Sequence, residues 1–360
     1  MPHPLPAPRP KDARPAHTLR KAGELAEAGL IAPSEEAGAR AVAARYAVAV
    51  PPALADAIMG DATGALARQF VPRAEELVIA REELQDPIGD DAHAPVKGIV
   101  HRYADRVLLK PLHACAVYCR FCFRREQVGP GGDALDADEL DAALRYIETH
   151  KEIWEVILSG GDPLLLSARR LKDIVSRLAA MDHVGVIRIH TRMPVADPAR
   201  IGRALVRALK CTKAVYVVLH CNHDAELTAE AKAACARLTD AGLPMLAQTV
   251  LLKGVNDEAA TMERLLRALT AGRIKPYYLH HPDLARGTGH FRLPLEQGRA
   301  LMESLRGRLS GIAQPTYVLD IPGGHGKVPV GPGYLRPGAA AGEWLVTDPQ
   351  GAEHPYPPKA

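Results

Sequence analysis

No stretch of this chain is apolar over the roughly 18 residues that a membrane-crossing helix needs, which speaks against a helical membrane protein. Neither charge dominates: 45 Lys and Arg against 42 Asp and Glu leave a net +3 with no basic stripe, so nucleic acid is not indicated as a partner. The first 17 residues hold six prolines and lack the apolar core of a secretion signal. They read as a disordered tail, and the cytoplasm is the expected location. No G-x-G-x-x-G follows any strand-like segment. The Gly326-Lys327 pair is not a Walker A loop, because Val328 follows it and no glycine stands five residues before Gly326. Cysteine is scarce: all six lie between Cys115 and Cys235, a pattern that argues for thiols and metal rather than disulfides.

What is present is a regular alternation. Residues 18–75 are Ala-rich and apolar at helical spacing, broken by Pro33 and Pro51-Pro52, and predict a cap of short helices with no visible chemistry. The Pro-, Gly- and Asp-rich stretch from Asp86 to Pro95 reads as a linker. Short apolar strands then recur at about 105–112, 153–159, 185–191, 213–220, 245–252 and 275–281, each followed by a helical pattern. Ser167, Thr228 and Asp257 stand where helix N-caps are expected, and Gly242 and Gly272 follow last helical residues. Six βα units predict an α/β fold with parallel strands, either an incomplete, TIM-like (βα)6 barrel or an open doubly wound sheet. The missing dinucleotide fingerprint favours the barrel, and in both the chemistry gathers at the C-terminal ends of the strands. A strand at 315–320 and a hairpin around Asp348-Pro-Gln-Gly351 close the chain. The expected organisation is a tail over 1–17, a helical region and linker over 18–95, the barrel over 96–330, and a C-terminal hairpin and tail over 331–360.

Cys115, Cys119 and Cys122 follow the first of these strands in the spacing CxxxCxxC. Three thiolates from one loop can hold a [4Fe–4S] cluster and leave one iron open to a chelating ligand. Two other readings stand beside it: a zinc site completed by His113 or a distant cysteine, and three core cysteines with no ligand role. Cys235 falls on the apolar face of its helix, and Cys211 and Cys221 flank a strand, too far apart for a zinc knuckle. Tyr118 and Phe121 inside the loop, and Arg124-Arg125 after it, favour a cluster with an organic ligand beside it. At these residues the chain resembles the radical S-adenosylmethionine (SAM) superfamily, whose signature is CxxxCxφC with φ aromatic.

Two further motifs sharpen the resemblance. Ser159-Gly160-Gly161-Asp162 ends the second strand; alone it is an ordinary strand-to-helix turn, but beside the cysteine loop it resembles the superfamily's SAM-binding glycine motif. Asp320-Ile-Pro-Gly-Gly-His-Gly-Lys327 puts a lysine on a mobile glycine-rich loop, where it can form and release a Schiff base; a solvent-facing lysine in a turn is the plain alternative. With His101-Arg-Tyr-Ala-Asp-Arg106, Leu252-Lys-Gly-Val-Asn-Asp257 and Pro276-Tyr-Tyr-Leu-His-His-Pro-Asp283, the stretch from about Asp86 to Tyr334 resembles the lysine 2,3-aminomutase family.

That resemblance implies a radical SAM barrel carrying a [4Fe–4S] cluster, SAM and pyridoxal 5′-phosphate (PLP). It implies that Lys327 holds PLP, that Arg102 or Arg106 contacts its phosphate, and that Arg124 binds a substrate carboxylate. It further implies that Asp283 and Asp320 grip the substrate's far ammonium, with His220 and Gln248 near SAM. The activity implied is transfer of the α-amino group of L-lysine to Cβ, giving β-lysine. Two alternatives are a relative making β-lysine for a translation factor and an aminomutase for another amino acid. A third reading, from a different class, is a metal-stabilised binding protein with degenerate chemistry; the intact cysteine loop, Lys327 and both aspartates weigh against it. The implied partners are an amino acid substrate, an electron donor such as flavodoxin or ferredoxin, and further copies of the chain in a homo-oligomer. Two departures stand out: family members carry a C-terminal cysteine cluster for structural zinc, absent here, and His325 stands where glycine is usual.

Overall fold

The computed structural model describes residues 15–340 and 342–357, so all but the last three residues of the expected tail over 1–17 lie outside the described residues. Nine strands form one sheet in sequential order: β1 (Ile99–Tyr103), β2 (Arg106–Leu112), β3 (Glu155–Gly160), β4 (Val186–Thr191), β5 (Ala214–His220), β6 (Met245–Val250), β7 (Ile274–His280), β8 (Thr316–Asp320) and β9 (Lys327–Pro329). β2 to β8 pair in parallel, while β1 and β9 add antiparallel to the two ends and leave the sheet open. β1 and β9 are additions to the six parallel units expected. A separate antiparallel sheet, β10 (Leu335–Pro337), β11 (Trp344–Thr347) and β12 (Glu353–Tyr356), includes the expected terminal hairpin.

Alternation along the strands explains the curl. Val156, Leu158, Ile187 and Ile189 face outward and are buried against helices, within one apolar core. Glu155, Ile157, Ser159, Arg188 and His190, the residues between them, line a central cavity of about 690 Å³ to which all nine strands contribute. One face is therefore packed and the other faces a lumen, as in a barrel that does not close. The helices outside are α5 (Ala137–Thr149), α6 (Ala168–Ala179), α7 (Met193–Ala196), α8 (Arg203–Ala208), α9 (Ala229–Asp240), α10 (Ala259–Ala271) and α11 (Leu295–Leu305), after four short N-terminal ones, α1 (Ala22–Glu27), α2 (Glu36–Ala43), α3 (Pro52–Gly60) and α4 (Ala65–Phe70). Ser167 and Thr228 cap α6 and α9 through their hydroxyls. Asp257 does not cap α10: Glu258 holds that position without a side-chain bond, and Asp257 instead closes the preceding turn by accepting the Gly254 N–H at 2.8 Å. Among the described residues no helix is long and apolar enough to cross a membrane.

The cap of short helices carries more than packing. Its carbonyls at Ala49 and Gln69 accept the Tyr118 and Arg120 N–H groups at 3.0 and 2.8 Å, so the cysteine loop is hydrogen-bonded to it along the backbone. Glu76, fully buried in a 3₁₀ turn after α4, takes the guanidinium of Arg120 at 2.6 Å and pairs also with Arg125.

Candidate active site

β2 delivers the chain to the cysteine loop at the C-terminal rim. Cys115, Cys119 and Cys122 are free thiols, and burial pushes each above its ordinary pKa, Cys119 up to about 12. Among the described residues no three His, Cys, Asp or Glu side chains gather closely enough to hold one metal ion. His113, the candidate fourth zinc ligand, bonds Asp133 at 3.0 Å instead. Three soft thiols from one loop can ligate a [4Fe–4S] cluster and leave one iron open. Arg192, just after β4, lies 5.3 Å from the Phe121 ring centre and pairs with the fully buried Glu226, placing a held cation beside the loop.

The glycine turn after β3 packs directly on this loop. A Cβ on Gly161 would stand 2.1 Å from the Ala114 carbonyl oxygen, so only glycine allows the two segments to meet. Asp162 is buried and spends its oxygens on the Thr191 hydroxyl (2.7 and 2.9 Å) and on the N–H groups of Arg192 and Leu164. Its part is to brace β3 against β4. Ser159 lines the cavity and takes a long contact of 3.4 Å from Arg124.

At the far edge, Asp320 and Lys327 are directly opposed residues of the β8–β9 hairpin, so both side chains fall on the cavity face. They form an ion pair, and Lys327 Nζ also lies 3.2 Å from His280 Nδ1. Tyr103 accepts the Lys327 N–H on its hydroxyl at 2.8 Å while Arg106 stacks 3.8 Å over its ring. Burial opposes the charge on Asp320, but the His280 imidazole and the Lys327 ammonium outweigh it and hold the acid well below the carboxylate range. Asp283, on the loop after β7, is pushed the other way, up to about 7, by burial and by the charge on Asp320.

Arg124 leaves the cysteine loop and meets Asp90, which is 1 % exposed and also pairs with Arg102 at 3.1 Å. Asp90 lies in the stretch read as a linker. That stretch is a wall of the cavity: a Cβ on Gly89 would meet the Gly324 nitrogen at 2.7 Å, so it packs against the lysine loop. His325 is exposed and does not crowd the site. His220 and Gln248 line the cavity from β5 and β6, and the buried Nε2 atoms of His220 and His190 have no hydrogen-bond partner.

A radical SAM superfamily model matches residues 109–266, and a lysine-2,3-aminomutase model matches residues 302–341. An L-lysine 2,3-aminomutase from Acetoanaerobium sticklandii is 42% identical over 306 residues, covering 85% of this chain and 74% of that protein. The chain belongs to the lysine 2,3-aminomutase family of radical SAM proteins. The L-lysine 2,3-aminomutase of Fusobacterium nucleatum is 44% identical over 268 residues, and there the match spans 74% of this chain but only 63% of the relative. A glutamate 2,3-aminomutase from Clostridioides difficile is 38% identical over 265 residues, 74% of this chain and 63% of that one. Radical SAM membership implies a [4Fe–4S] cluster and SAM, which the three thiols and the unpartnered polar atoms of the lumen fit.

Asp90, Glu76, His190 and His280 were not singled out from the sequence. For His190 and His280 a signal existed: each is a polar residue two positions on from another polar or aromatic one, Arg188 and Tyr278, and so falls on the same face of its strand. Asp90 and Glu76 act across more than thirty residues of sequence and leave no local pattern.

Proposed function

We propose that this protein is a PLP-dependent lysine 2,3-aminomutase that moves the α-amino group of L-lysine to Cβ. The observation that carries the reading is one cavity lined by Lys327, Arg124 and two carboxylates, Asp283 and Asp320. Bound, the cluster with SAM supplies a hydrogen-abstracting radical and PLP carries the migrating nitrogen. The residues fit PLP: Lys327 offers an amine, and Tyr103 links it to Arg106, whose guanidinium stacks on the Tyr103 ring and pairs, among carboxylates, with the exposed Asp105. Arg102 is committed to buried Asp90, so Arg106 is the better phosphate ligand.

Arg124 takes the α-carboxylate common to all amino acids and does not discriminate among them. Discrimination falls to Asp283 and Asp320. Burial and the charge on Asp320 make the anion of Asp283 costly; a bound ammonium relieves that repulsion, and a glutamate side chain would add a third negative charge. This favours lysine over the substrate of the Clostridioides difficile relative. Anaerobic incubation with SAM, PLP, reductant and each amino acid tests the reading, and Asp283→Asn and Asp320→Asn should sharply raise the KM for lysine with iron content unchanged.

A further inference from the structure

β7 ends on His280, whose side chain the reading above leaves without a role. Its Nδ1 is 3.2 Å from Lys327 Nζ and 3.4 Å from Asp320 Oδ2. An ammonium only donates, so Nδ1 must accept, and the neutral ring carries its proton on Nε2. In that tautomer Nδ1 and Asp320 are two acceptors side by side. Their contact becomes a hydrogen bond once a proton sits on Nδ1.

We propose that His280 is the catalytic base that takes the proton from the Lys327 ammonium and so frees the amine that bonds to an aldehyde cofactor. The inference rests on the reading of Lys327 as the PLP-holding residue. The step balances without a redox partner. The ammonium proton moves to Nδ1, the amine lone pair forms the bond from nitrogen to the aldehyde carbon, and the aldehyde oxygen leaves as water. The proton left on Nδ1 faces Asp320, which stabilises the imidazolium as a carboxylate steadies a catalytic histidine.

Asp320 cannot be the base itself. The Lys327 ammonium beside it favours its anion, and a carboxylate is a far weaker proton acceptor than imidazole, so it binds the ammonium without discharging it. Burial and the Lys327 charge lower the pKa of His280, which keeps the ring neutral and ready at neutral pH. The other groups facing it are Asp283 after β7, the Tyr278 ring at 5.7 Å, and His190 and His220 from β4 and β5. Both of those imidazoles are pushed down by burial and add no competing charge.

The test uses the full chain mixed with PLP alone, without SAM or reductant. Association is followed by absorbance from neutral to alkaline pH, and borohydride reduction with peptide mapping then locates the bound cofactor. His280→Gln should slow association about a hundredfold at neutral pH, and the deficit should shrink at alkaline pH, where hydroxide supplies the base. Added imidazole should restore part of the rate, which a merely structural role would not allow. PLP trapped on Lys327 at an unchanged rate in His280→Gln, or a slow variant that imidazole does not rescue, overturns this inference alone. PLP trapped on another lysine, or on none, in the parent protein overturns it together with the reading of Lys327.

Discussion

Asp90 grips Arg124 through one oxygen, which accepts from Nε at 2.8 Å and forms an ion pair with Nη2 at 2.8 Å. Its second oxygen takes Arg102, and Lys110 stands 4.0 Å away, so one buried acid offsets three cations. The geometry of Arg124 is therefore set from a segment outside the barrel. Asp90→Asn should raise the KM for the amino acid by about tenfold or more, with less effect on iron content, because the guanidinium loses its fixed orientation. Steady-state kinetics and iron analysis on one preparation check this; an unchanged KM would remove Asp90 from the binding site.

Asp283 gives a pH dependence of definite sign. Its carboxyl titrates near 7 because burial and Asp320 disfavour its charge, so it is neutral below that value and anionic above. A substrate ammonium needs the anion. The KM for lysine should therefore fall as pH rises through about 7 and level off beyond it. Asp283→Asn should flatten the profile, and a KM that rises with pH would contradict the role.

Glu76 holds two buried guanidiniums, Arg120 and Arg125, which stand on either side of Cys122 in the chain. Glu76→Gln leaves both cations unpaired and should cost about 3–5 kcal/mol of stability. It should also lower the iron retained after anaerobic reconstitution, since Arg120 and Arg125 anchor the loop. Denaturant unfolding and iron analysis measure the two effects, and parental values for both would show that the cap does not support the loop.

Gly161→Ala tests the packing of the glycine turn on the cysteine loop. The added methyl would sit 2.1 Å from the Ala114 carbonyl oxygen, so the backbones must separate. Iron loading should drop while the far-ultraviolet circular dichroism stays close to the parent's. Normal loading would mean that the two segments yield without consequence.

The seven parallel strands and two of the helix caps were legible because each rests on local chemistry: apolar runs between turn residues, and hydroxyls placed before helical periods. The Asp257 assignment failed because an aspartate can serve a turn as well as a cap, and nothing local decides between them. The cap of short helices read as chemically silent because Glu76 and the carbonyls of Ala49 and Gln69 find their partners only after folding. For the same reason Asp86–Pro95 passed as a linker: its proline and glycine content is that of a loop, and only the fold brings Asp90 to Arg124 and Gly89 to the lysine loop.

The most direct test of the account is the fate of each amino acid under anaerobic conditions, with about four irons reconstituted per chain and with SAM, PLP and reductant present. Product analysis should find β-lysine from L-lysine and little or no β-amino acid from glutamate or alanine. Faster conversion of glutamate than of lysine, or no β-amino acid at all from protein that holds its iron and cleaves SAM, would contradict it.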